Sequence, residues 1–95
     1  MSYEDKVAVI RTCLAARFQD VQDREDLNLG PLFVFNNGEH SWQLHFSRAF
    51  IDDIPYLDQL PSVIENRIIP ELLANLGMRI EVGSEGTIAV IAKDP

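Results

Sequence analysis

Apolar positions recur along the chain in four stretches, and the period of each indicates the element it should form. Val7, Ile10, Leu14, Phe18 and finally Val21 follow one another at three- and four-residue steps, the spacing of a helix with one apolar side. Lys6, Arg11, Arg17 and Gln19 fall mostly outside that stripe. Ser2 followed by Asp5 resembles a capping box with aspartate in the glutamate position, and Glu4 and Asp5 suit the positive end of a helix dipole. The pattern predicts a first helix starting there.

The period then shortens to two. Leu32 to Phe35 is a brief apolar run, Trp42 to Ser47 alternates, and Asn37-Gly38 between them is a strong hairpin signal. With those two residues as the turn, Phe35 pairs with His40 and Phe33 with Trp42. Phe33, Phe35, Trp42, Leu44 and Phe46 then share one face, the aromatic half of a core. Leu32, Val34, Ser41, Gln43, His45 and Ser47 share the other face, which is only half polar.

Residues 49–60 are irregular, with Asp53 as a cap for one short helical turn bearing Tyr56, Leu57 and Leu60. From Pro61 to Gly77 the helical period returns. Ile64, Ile68, Leu72 and Leu76 form the stripe, Val63, Ile69 and Leu73 widen it, and Gly77 supplies a left-handed stop. Pro70 interrupts this run, so a kink is expected near Glu65 to Ile69 rather than two separate helices, since the stripe continues past it.

The last stretch alternates again: Met78, Ile80 and Val82 lead into a turn at Gly83-Ser84-Glu85-Gly86, and Thr87 to Ala92 return. A tight Ser84-Glu85 turn sends Ile88 and Val90 to the face opposite Ile80 and Val82. A one-residue bulge sends Ala89 and Ile91 there instead.

Helix, hairpin, helix, hairpin is the order of an α+β two-layer sandwich. It implies a four-stranded, mostly antiparallel sheet with two helices on one face. The same order matches a ferredoxin-like βαββαβ fold with its first strand moved to the end, and the two αββ units suggest a pseudo-repeat without residue-level similarity.

Composition narrows the partners. The chain has 95 residues, 46% apolar and 24% charged, which suits one domain with one core. Fifteen acidic against eight basic residues give a net charge of −7, a field that repels phosphate backbones and anionic headgroups. Nucleic acid and membrane are therefore disfavoured; if the charge serves binding it suits a basic protein partner, while solubility alone more often explains an acidic surface. The N-terminus carries Glu4 and Asp5 and no long apolar run, so neither a signal peptide nor a membrane span is expected, and the location implied is cytoplasmic. The single cysteine, Cys13, borders the first stripe and reads as a buried structural thiol. Asp20, Asp23, Glu25 and Asp26 form an acidic run that reads, with Leu27 to Pro31, as a helix end and a solvated loop. It lacks the glycine and distal glutamate of an EF-hand.

No GxGxxG, GxxxxGK[ST], GxSxG, HExxH or CxxC occurs, so the usual marks of dinucleotide, P-loop, serine-hydrolase, zincin and dithiol chemistry are missing. No cofactor or metal is implied. His40 and His45 project to opposite faces in the expected hairpin and cannot share a site, while Trp42 belongs to the core. Two candidate sites remain, and they define two function classes. Gln43, His45 and Arg48 form a candidate polar site for a small-molecule-binding domain or minor enzyme. Leu32, Val34, His45, Ile88 and Val90 form a candidate interface on the outer sheet face. That face would be covered by a second copy, by another protein, or by residues 49–60 folding across it. The leading expectation is a non-enzymatic interaction module of adaptor, secretion-chaperone or toxin-inhibitor type, with a homodimer through the sheet face as one arrangement.

Overall fold

A computed structural model describes residues 3–24, 29–53 and 59–92. Ser2, Glu25 to Asn28 and Ile54 to Asp58, on which parts of the sequence reading fell, lie outside the described residues.

Helix α1 (Tyr3–Ala15) buries Val7, Ile10 and Leu14, the predicted stripe. It also buries Lys6, whose stem was assigned to the polar side; Lys6 Nζ donates to Ile51 O at 2.7 Å. The helix stops short of its predicted length. Arg17 and Phe18 close one more turn onto Leu14 O at 3.0 and 2.8 Å, which still carries Phe18 into the core.

Strand β1 (Gln19–Arg24) follows where a charged helix end and loop were expected. It pairs antiparallel with β2 (Leu32–Asn36), with a register shift between Gln19 and Gln22 and with Asp20 at φ +54. Arg11 Nε and Nη2 donate to the two carboxylate oxygens of Asp23 at 2.7 and 2.9 Å and so fasten α1 to this strand. These hydrogen bonds, reinforced by the guanidinium charge and opposed by partial burial, hold the Asp23 carboxyl below its ordinary value. Asp23→Asn is expected to cost about 0.5 kcal/mol at neutral pH. A carboxyl that titrates lower in the folded chain stabilises above its unfolded value of about 3.9, and the contribution fades as pH falls through the folded value. Urea midpoints of the two proteins should therefore differ at pH 7 and draw together as the pH falls below the ordinary carboxylate range. A constant separation would assign the effect to something other than the ion pair.

β2 and β3 (Ser41–Phe46) form the expected hairpin, but their register is Phe35 with Trp42 and Phe33 with Leu44. Asn37 N–H donates to His40 O at 3.0 Å, so Gly38 and Glu39, not Asn37 and Gly38, are central to the turn. The slip moves each pairing by two positions on the facing strand, and because side chains alternate with period two, both faces keep their predicted members. His40 thus stays on the core side, at the edge of Trp42 with ring centroids 6.4 Å apart.

The long connection out of β3 carries the remaining helices. In α2 (Arg48–Asp53), Ser47 Oγ accepts from Phe50 N–H at 3.1 Å and so caps the helix, and Phe50 and Ile51 are buried. The start of the later turn that Asp53 is expected to cap lies outside the described residues. Then α3 (Gln59–Val63), a π-helical segment (Ile64–Ile68) and α4 (Ile69–Ala74) run on as one helix. Pro70 neither breaks it nor sharply divides it. Ile69 N–H bonds back to Ile64 O across the wider π turn, just ahead of the proline that has no N–H to offer. The extra residue shifts the stripe, so adjacent Ile68 and Ile69 both reach the core with Leu60, Ile64 and Leu72, while Leu73 and Leu76 are exposed. Gly77, at φ +74, follows the helix end as predicted.

β4 (Arg79–Val82) pairs in parallel with β3, and β5 (Ile88–Ile91) pairs antiparallel with β4. The α+β class holds, but among the described residues the sheet has five strands, not four, in the order β1-β2-β3-β4-β5. Adjacent β3 and β4 leave no strand inserted between the parallel pair, as the split βαβ of a ferredoxin-like fold requires, so that topology is excluded. The first unit is αβββ, which removes the pseudo-repeat. Every described helix contributes buried residues to one cluster with Phe33, Phe35, Trp42, Leu44, Phe46, Ile80 and Val82. No described helix is long and apolar enough to cross a membrane.

Candidate functional site

The pairings align side chains of the other sheet face into two straight rows. Gln22, Val34, Gln43, Arg79 and Ile91 make one; Arg24, Leu32, His45, Glu81 and Ala89 make the next. Leu32, Val34 and His45 therefore emerge where the sequence placed them. Ile88 and Val90 do not. They pair with Val82 and Ile80 and lie on the helix side, leaving Ala89 and Ile91 on the outer face. The reason is the turn: Gly83 N–H donates to Thr87 O at 2.8 Å, enclosing a three-residue loop that ends in left-handed Gly86, so the register is that of the bulged alternative.

The outer face has a polar centre with apolar flanks. Arg79 Nε donates to Glu81 Oε1 at 2.9 Å and its Nη1 to Gln43 Oε1 at 3.3 Å, which ties the two central strands together. His45 Nδ1 stands 4.0 Å from Glu81 Oε1, too far for a hydrogen bond, and its side chain is 17% exposed. Leu32 and Val34 flank this group on β2, and Ala89 and Ile91 on β5. A recess of about 320 Å³ opens at one end, lined by Leu29, Gly30, Leu32, His45, Arg79 and Glu81.

Arg48 is not part of this group. It sits on α2, its guanidinium carbon 4.9 Å from the Tyr3 ring centroid and its Nε 3.6 Å from Asp52 Oδ2. Tyr3 belongs to α1, so Arg48 lies on the helix side while Gln43 and His45 lie on the other. The cation beside them is Arg79, with Glu81 as its counterion. Sequence inspection missed both because their alternation with Ile80 identifies a strand but not its neighbour; only the parallel pairing sets Arg79 beside Gln43 and Glu81 beside His45.

Nor do residues 49–60 cross the open face where they are described. Phe50, Ile51 and Leu60 are buried on the helix side. Elsewhere, a cavity of about 470 Å³ lies between the end of α1 and the π segment, lined by Ala16, Arg17, Phe18, Glu65, Ile69 and Leu73 and flanked by the Arg17–Glu65 ion pair at 2.7 Å. Cys13 lies in a shallow apolar groove with Ala8, Val9, Thr12 and Pro61. Burial, helped by the charge of Glu65, pushes its thiol above the ordinary value, which disfavours the nucleophilic thiolate. Asp20 accepts from Asn36 Nδ2 at 3.0 Å, and Asp23 is bound by Arg11, so these two members of the acidic run have separate partners. Among the described residues, no three His, Cys, Asp or Glu side chains converge as a metal site requires.

No family model, curated protein or solved structure matches this chain.

Proposed function

We propose that the protein is an interaction module whose open sheet face receives a protein partner. The observation that supports this most is the one-sided architecture: every described helix packs on one face, while Leu32, Val34, Ala89 and Ile91 lie on the other around a mixed polar centre. Apolar flanks around oriented polar groups are the anatomy of a protein interface, in which the flanks supply desolvation energy and the Gln43–Arg79–Glu81 group supplies register. With a net charge of −7, the favoured partner is basic. Such a face would serve an adaptor, a secretion chaperone or an inhibitor alike.

Val34→Asp is the direct test, since it places a carboxylate between Gln22 and Gln43 without touching the buried side of the sheet. A partner captured by the wild-type chain and identified by mass spectrometry is expected to bind this variant at least about tenfold more weakly, the usual scale for burying an unpaired charge in an interface. Unchanged binding by a folded Val34→Asp variant contradicts the proposal.

The recess favours the alternative reading, a small-ligand site with His45 and Arg79 as donors and Glu81 as acceptor. On that reading a saturable thermal stabilisation by a small polar ligand is lost in His45→Ala and retained in Val34→Asp.

A further inference from the structure

The two edges of the sheet are built differently. β1 carries Asp20, Asp23 and Arg24, a register shift and a residue at positive φ, all devices that discourage a second strand from pairing there. β5 reads Ile-Ala-Val-Ile and has none of them; its register with β4 is unbroken over four pairs. The hydrogen-bond parity of this edge follows from the loop. Gly83 N–H donates to Thr87 O, so Glu81–Ala89 and Arg79–Ile91 are the next hydrogen-bonded pairs in the antiparallel alternation. The N–H and C=O groups of Ile88 and Val90 consequently point away from β4, toward an edge where no described strand follows. Val90 and Ile91 are 41% and 45% exposed beside them.

We infer that β5 pairs antiparallel with β5 of a second copy about a twofold axis, joining two five-stranded sheets into one. A second copy is selected by symmetry, and this edge is where the chain's charge permits it. At a net charge of −7, two copies repel wherever acidic side chains meet, and β5 presents a strand without any. An antiparallel strand is also its own complement, as a twofold interface demands. A register centred on Val90 sets Val90 against its own copy on the helix side and keeps both helix layers on the same side of the joined sheet. The two open faces then become one continuous surface. This inference goes beyond the proposed function and does not depend on it, because the edge and the face can be altered separately. A four-residue strand pair is smaller than a standard interface, so the dimer should be reversible, with its mass rising between about 1 and 500 µM.

Sedimentation or light scattering over that range tests it. Val90→Pro removes an outward N–H that β4 does not use, and Val90→Lys adds a charge that is solvated in a monomer but faces its copy across the axis. Both variants are expected to stay folded by circular dichroism and to dimerise at least tenfold more weakly than wild type. Val34→Asp should dimerise normally. The inference is overturned if wild type is monomeric throughout, as when a foreign peptide occupies this edge instead, or if folded Val90→Lys keeps the wild-type dimer. It is equally overturned if Val34→Asp dissociates the dimer, which would place the contact on the face. Should Val90→Pro fail to fold, Val90→Lys decides alone.

Discussion

Gly30→Ala is expected to destabilise the protein by about 2–6 kcal/mol, combining about 1–3 for backbone strain with a similar amount for crowding. Gly30 has φ +105, a conformation side chains with a Cβ rarely adopt. A Cβ built there would also lie 2.0 Å from Phe46 O and 2.7 Å from Arg48 N, both backbone atoms that cannot swing aside. Phe46 N–H donates to Pro31 O and Ser47 N–H to Val82 O in the same region, so relief would break pairings that join β2, β3 and β4. Gly38 is the control. It too has positive φ, at +93, but a Cβ there meets nothing within 4 Å. Gly38→Ala should cost about 1 kcal/mol, the strain alone. Equal urea midpoints for the two alanine variants would mean that the close approach at Gly30 is relieved at little cost.

Trp42→Ala is expected to cost about 3–5 kcal/mol, a large share of the 5–15 kcal/mol typical of a whole domain. Trp42 is fully buried in β3, with the Phe18 and Phe35 ring centroids 5.1 and 5.8 Å away. Its indole Nε1 donates to Leu72 O at 3.0 Å and Asn75 O at 3.2 Å, carbonyls at the end of α4 that also accept from Asn75 N–H and Met78 N–H, at 3.2 and 3.3 Å. Asn75 Nδ2 closes the same end onto Glu71 O at 2.8 Å. Trp42 is therefore both a core side chain and a helix cap, and Trp42→Phe separates the roles. That variant keeps most of the apolar volume, loses the donor and should cost about 1–2 kcal/mol, with hydrogen exchange rising first at the end of α4. If exchange there is unchanged while the midpoint falls, packing alone accounts for the effect.

The sequence told the most where one face of an element is buried. Phe33, Phe35, Trp42, Leu44 and Phe46 were recognisable as one face because period two survives a register slip, even though the turn was misplaced. The same logic failed at β5, where the loop, not the strand, decides which of Ile88 or Ala89 faces out. Strand β1 left almost no trace, since Val21 is its one apolar residue; an edge strand carrying Asp20, Asp23 and Arg24 looks like a solvated loop. The stripe of the long helix was readable through Ile68, Ile69 and Leu72, all buried; the π turn before Pro70 adds a residue, and Leu73 and Leu76 face solvent. Lys6 looked polar because sequence cannot show that its ammonium reaches the last carbonyls of α2. His45 and Gln43 lie on the open face, where the period-two pattern places them. Arg48 was grouped with them by proximity in the chain, whereas Arg79, distant in sequence, is the neighbour that parallel pairing provides.

The account rests on one sheet face lying open to a partner. Methyl NMR of the dilute protein with an inert soluble paramagnet measures this directly. The methyl groups of Leu32, Val34 and Ile91 should broaden strongly, while those of Leu44, Ile80 and Leu72 should remain sharp. Broadening of Leu32 and Val34 no greater than that of Leu44 would mean that the chain covers this face itself, and would contradict the account.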